Sequence, residues 1–139
     1  MTTPIALVEA CERNRLVWHR QSAQDIDAGF DELYIPRSGE LYEFAKRYCL
    51  QFASRTMPFQ LTDIIEEDGV VSDNVYYARE ELRIAPELLP ISAWEAEAIF
   101  VVNTNDDSVL LLTADDQGDS WNSEILASSF YDFMLDHLD

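Results

Sequence analysis

The residue types that do most protein chemistry are scarce in this chain. Histidine occurs twice, at His19 and His137, and cysteine twice, at Cys11 and Cys49. Neither histidine has a second His or Cys at ligand spacing, so no zinc signature is formed. Each cysteine stands among apolar and helix-forming neighbours with no C-x-x-C spacing, which reads as a core-like reduced thiol. A disulfide between the two stays open at this level. No base lies near either thiol in sequence to activate it as a nucleophile. Phosphate-cradling glycine loops and the G-x-S-x-G elbow do not occur. What the chain has in quantity is carboxylate, 27 Asp and Glu against nine Lys and Arg.

Clustered carboxylates can bind a cation, share a proton or meet a basic surface. Set against a twelve-residue calcium loop, Thr113–Glu124 puts Asp115 at position 3, Gly118 at position 6 and Glu124 at position 12. Thr113 and Gln117 then occupy positions 1 and 5, where carboxylate or Asn is wanted, and a strand leads in where a helix should. The pairs Asp106–Asp107 and Asp115–Asp116 could supply an acid and a base, but adjacent residues in a turn rarely face one substrate. The expectation is a protein with no catalytic residue, no metal ligand and no cofactor.

The third use of carboxylates fits the charge distribution. Residues 1–60 carry seven basic and eight acidic groups, whereas residues 61–139 carry two and nineteen, so nearly all of the net −18 belongs to the second part. A nucleic-acid binder needs the opposite sign to neutralise phosphates. An anionic membrane surface would repel the chain for the same reason. High charge also serves plain solubility; the functional reading is a face built for a basic protein. Trp94 is followed by Glu95 and Glu97, and Trp121 follows Asp115, Asp116 and Asp119. An exposed indole ringed by carboxylates would anchor such a partner, the alternative being a place at the edge of the core. With Asp106 and Asp107 added, these residues form the expected partner surface, Trp121 foremost.

The elements that must position them read as one α+β domain spanning residues 1–139. Hydrophobic residues make up 47% of the chain and aromatics 12%, enough for one core. A short helix follows Pro4 with Ile5, Val8 and Cys11 as its apolar residues, and Leu16 to Trp18 either extend it or begin an extended segment. Residues 21–32 read as a polar loop. Ser38 is placed to cap a helix whose stripe is Leu41, Phe44, Ala45 and Tyr48, with Glu40 and Glu43 early and Lys46 and Arg47 late, as its dipole favours. A strand pair is expected around Asp68-Gly69, with Val70, Val71 and Val75 to Tyr77 of strand type. Residues 79–90 read as a turn-rich connection. Residues 98–104 and 108–113 form a hairpin through Asn105, Asp106 and Asp107, apolar on both faces and so covered by helices. An acidic loop over 114–124 then leads to a last helix, capped by Ser128 or Ser129, with the stripe Phe130, Phe133, Met134 and Leu138. The whole is a central, mostly antiparallel sheet packed by N-terminal and C-terminal helices. MTTPIALVEACERNR lacks a cationic start, and runs such as Val109–Leu112 are too short to span a bilayer, so a cytoplasmic protein is expected.

The order of these pieces is similar to a known family. ELYIPRSGELYEFAKRY feeds an amphipathic helix, LRIAPELLPISAWEAEAIFVVNT leads into NDDSVLLLT across an acidic turn, and ILASSFYDFMLDHL closes the chain. This pattern resembles the SUKH superfamily, most strongly over residues 80–139 and less over 30–50. Family members usually carry a small Gly-containing turn after the early helix; CLQFASRTMPFQ stands there instead. The resemblance implies a sheet packed by helices and no defined catalytic residues. It also implies the work of its many bacterial immunity proteins, which bind and block polymorphic toxins. The expected function is therefore non-catalytic neutralisation of a basic toxin, such as a nuclease, through an acidic face. The alternatives are a housekeeping regulatory or scaffold domain of the same fold, or a metal-dependent binder or enzyme using the acidic loops.

Overall fold

The computed structural model describes residues 3–14, 17–50, 61–63, 65–66, 69–70, 75–92, 97–114 and 121–138. Helix α1, Ile5–Arg13, opens after Pro4, whose carbonyl accepts the Val8 N–H at 3.0 Å. It turns Leu7, Ala10 and Cys11 into the core and leaves Ile5 exposed, so the buried face is rotated from the expected line. The chain then runs extended through Val17–Arg20 rather than prolonging the helix. His19 bridges Tyr48 in antiparallel fashion, the Cys49 N–H donates to the Trp18 carbonyl at 2.7 Å, and the Arg20 N–H to that of Arg47 at 2.9 Å.

Helix α2, Ala23–Glu32, takes the place of the expected loop. Ile26, Gly29, Phe30 and Leu33 recur at the helical period and are all buried, a stripe masked in the sequence by the Asp, Gln and Glu residues between them. It ends in paired bonds from the Tyr34 N–H to the Asp31 carbonyl and from the Ile35 N–H to the Phe30 carbonyl, both 3.1 Å. Tyr34, at φ 58°, fills the left-handed position that glycine commonly takes in this helix ending. Helix α3, Glu40–Arg47, buries the expected Leu41, Phe44 and Ala45, and Tyr48 beyond its end.

Strands β1, Ile65–Glu66, and β2, Gly69–Val70, pair antiparallel as expected, with Gly69 opposite Glu66. Val75 to Tyr77, of strand type in sequence, are instead helical and lead into a π-helical segment, α4, Tyr77–Glu81. Strand propensity is a weak prior, and burial of Val75 and Ala78 outweighs it here. The expected connection over 79–90 contains strand β3, Leu88–Pro90. It pairs with β4, Ala98–Asn103, which pairs in turn with β5, Val109–Ala114, in the expected hairpin. Strand β6, Trp121–Ala127, then adds to β5 and absorbs residues 121–124 of the expected loop. The sheet order is β3-β4-β5-β6, antiparallel throughout. Helix α5, Phe130–His137, is capped by Ser129 and buries Phe130, Phe133 and Met134, with Leu138 beyond its end.

This is the expected α+β arrangement, with the β4–β5 hairpin apolar on both faces. Phe100, Val102 and Val109 join the main core of Phe30, Phe44, Phe130 and Phe133 contributed by the helices. The rings of Phe44 and Phe130, and of Phe100 and Phe133, meet edge to face at 5.5 and 5.9 Å, a favoured aromatic geometry. Ile99, Val101 and Leu112 point the other way, into a smaller cluster with Ala78 and Ile84.

A buried ion pair lies inside this core. Arg20 and Asp63 have side chains only 5% exposed and form a two-pronged ion pair, Nη1 to Oδ2 at 2.8 Å and Nη2 to Oδ1 at 2.7 Å. The guanidinium also donates to the carbonyls of Ala45 and Tyr48, and Asp63 Oδ1 accepts the Leu50 N–H at 2.9 Å. Desolvating two charges is costly, and such a pair persists only when both groups find full hydrogen bonding. Removing one partner strands the other in a dry site. Asp63→Ala should therefore lower unfolding free energy by about 3–5 kcal/mol in urea titrations, whereas Glu32→Ala on the exposed face of α2 should change it by less than about 0.5 kcal/mol.

Candidate functional site

The sheet sorts the expected partner residues to its two ends. Glu97, exposed and at φ 63°, precedes β4, and its carbonyl accepts the Ala114 N–H at 2.9 Å. Ala114 pairs on its other side with Trp121, so Glu97 and Trp121 flank the same residue of β5. Asp106 and Asp107 lie in the β4–β5 turn, at the far end of six-residue strands, which at about 3.3 Å per residue separates the two groups by roughly 20 Å. Trp94, Glu95, Asp115, Asp116 and Asp119 lie outside the described residues.

The close surroundings of the described residues differ in kind. Trp121 is half-buried, packs on the smaller cluster and donates its indole N–H to the Leu82 carbonyl at 3.1 Å. It thus takes the core-edge place that its sequence also allowed. Trp18, in contrast, is 72% exposed. Asp106 accepts from the Ser108 N–H and hydroxyl at 2.9 and 2.6 Å, which hold its carboxyl below the usual range. Its side chain braces the turn while remaining exposed.

Asp107 does something the linear sequence concealed. Its Oδ1 accepts the Glu40 N–H at 3.0 Å, supplying from a distant turn the cap expected of Ser38. The residue between is Gly39, at φ 98°, where an added Cβ would stand 2.7 Å from that same oxygen. Glu40 continues the chain of caps, its Oε1 accepting the Ser129 hydroxyl at 2.6 Å and the Tyr131 N–H at 3.0 Å. Carboxylates at two helix N-termini satisfy otherwise orphan N–H groups and complement the dipoles.

The thiols and imidazoles form no reactive constellation among the described residues, where no group of three or more His, Cys, Asp or Glu could hold a metal ion. His19 Nε2 lies 3.1 Å from Glu12 Oε2, and the Tyr48 hydroxyl donates to Glu12 Oε1 at 3.0 Å. These two contacts, the tyrosine first, hold the Glu12 carboxyl low, while burial and then Glu12 push Tyr48 up to about 12. His137 packs on Phe133 at 4.6 Å and is lowered by burial. Cys11 and Cys49 are free thiols. Burial pushes Cys11 up to about 12 and raises Cys49 as well. No described helix is long and apolar enough to cross a membrane.

No family model matches the chain, nor does any curated protein or solved structure. Exposed carboxylates stand at both ends of the sheet, with others nearby committed to caps and turns.

Two outcomes test these assignments. Asp107→Ala should cost about 1–2 kcal/mol of stability through the lost cap, and Gly39→Ala should also destabilise, both read from urea midpoints. In native protein at pH 8, iodoacetamide should modify the half-buried Cys49 before Cys11, which should react only after unfolding, as followed by intact mass.

Proposed function

We propose that this chain is a non-catalytic protein-binding domain, an immunity protein of the SUKH kind that neutralises a basic toxin in the cytoplasm. One observation carries the reading: beyond Arg83 the sequence contains no Lys or Arg, yet it contains twelve Asp and Glu. Strands β3 to β6 and helix α5 all come from that stretch. Glu97, Asp106, Glu124, Asp132 and Asp136 are exposed along it. A field of one sign over a rigid sheet accelerates encounter with a basic partner and disfavours other acidic proteins. A nuclease is the toxin type that fits best, because its cleft is already built to receive a row of phosphates. Since Asp107 and Trp121 have structural employment, the contact rests on the carboxylate field rather than on a single aromatic anchor.

Calorimetric titration with the basic product of a neighbouring gene tests this directly. Affinity should fall steeply between about 50 and 300 mM salt as the charges are screened. Joint replacement of Asp115, Asp116 and Asp119 by Ala should weaken binding by about tenfold or more. Salt-independent affinity, or full affinity in the triple variant, would sink the electrostatic interface.

A further inference from the structure

The two edges of the main sheet are unlike. β3 is three residues long and contains Pro90, which has no N–H to offer a neighbour. Short strands, prolines, lysines and bulges are the usual guards against unwanted pairing at an edge. β6, at the opposite edge, is the longest described strand, with seven residues and no proline or lysine. Residues Asn122–Leu126 are all exposed, Ile125 to 68%. One irregularity lies near its end, where Leu110 pairs with Ile125 but Val109 with Ala127, leaving Leu126 as the extra residue of a bulge. The five residues Trp121–Ile125 therefore run in regular register with β5.

The alternation of the strand gives this edge a readable surface. Trp121, Ser123 and Ile125 share the face of Leu110 and Leu112, so Ile125 extends the smaller apolar cluster outward. Glu124 lies on the opposite face, and α5, which packs beside β6, carries the exposed Asp132 and Asp136. The whole stretch from β3 to the C-terminus lacks Lys and Arg, so a strand arriving at β6 meets the carboxylates of that stretch, with Arg83 standing beside Leu82 at the Trp121 end. A second copy of this chain would bring −18 of its own against that field. A basic segment would be drawn to it.

We propose that β6 is the docking edge, on which an extended, Lys- or Arg-bearing segment of a partner protein adds as a fifth strand. Outward backbone groups of Asn122–Ile125 supply the hydrogen bonds, Ile125 an apolar contact, and the surrounding carboxylates the selection for positive charge. This rests on the binding reading above but specifies its mode, which a diffuse electrostatic contact would not share.

The probe is a short capped peptide alternating Lys and Val, compared with the same peptide N-methylated at alternate amides, which keeps its charge but loses its outward donors. The paired variant Ser123→Lys with Ile125→Lys places charge at the edge. Gln24→Lys with Ala28→Lys makes the same change in net charge at exposed sites of α2. The β6 variant and the N-methylated peptide should each weaken binding about tenfold or more, the α2 variant only about twofold. The peptide should also slow hydrogen exchange at alternate amides of Trp121–Ile125. Equal losses in the two variants, or equal binding of the two peptides, would overturn strand addition while leaving the acidic-face reading to its own titration. Absence of peptide binding at about 1 mM would overturn it too, as would a concentration-dependent dimer abolished by the β6 substitutions, which would make the occupant a second copy.

Discussion

The buried pair of Arg20 and Asp63 ties together segments that share no regular secondary structure. Arg20 lies in the extended stretch after α1, bonded to the chain leaving α3. Asp63 belongs to the segment that meets the sheet side of the molecule, where the Thr62 N–H donates to the Ile91 carbonyl at 2.8 Å and Leu61 bridges Ser92. The guanidinium takes the carbonyls of Ala45 and Tyr48 as well, at the point where α3 ends. Three chain positions, Ala45, Tyr48 and Asp63, are thereby held to one planar group. In a dry interior each charge depends on the other, so loss of either partner leaves an uncompensated buried charge.

A second polar relay organises the opposite end of α3. Asp107 caps α3, and Glu40, the first residue of α3, caps α5. The hairpin turn, the central helix and the closing helix are thus registered by two carboxylates. This changes how the acidity should be read. Glu40, Asp63 and Asp107 answer to backbone N–H groups or to Arg20 inside the fold, and Asp31 on α2 is bonded by Arg37. The charge available to a partner is the remainder, concentrated where no cation follows Arg83. A chain can be acidic for two reasons at once, and only the position of each carboxylate separates them.

The sheet shows a similar division. β4 is buried on both faces, with Ile99 and Val101 turned toward α4 and Phe100 and Val102 toward the larger helices. Burial thins across β5, and β6 is largely exposed. Stability is therefore seated at β4, while Asn122–Leu126 of β6 stay exposed. The placement of Trp121 fits this gradient: it seals the smaller cluster at the start of the exposed strand.

Local patterning alone determined the α+β class, the stripe of α3, the β4–β5 hairpin and the closing helix. In each, the apolar period or the turn residues agree over a short stretch, although the cap of α3 comes from distant Asp107. The charge asymmetry was equally plain, being a sum over residues. α2 was also legible in principle, since Ile26, Gly29, Phe30 and Leu33 keep helical spacing, but its polar remainder resembles a loop. Tertiary structure decided what composition left open. WNSEILA becomes a strand because β5 has an unpaired side to offer, not because its own residues demand it. Val75 to Tyr77 turn helical because Val75 and Ala78 find apolar cover that way. Asp107 and Trp121, alike as candidates for a partner, acquire their roles from a backbone N–H 67 positions away and a carbonyl 39 positions away. Hydrogen-bond partners so distant in sequence leave no local signature, because they are chosen by the fold's geometry rather than by neighbouring residues.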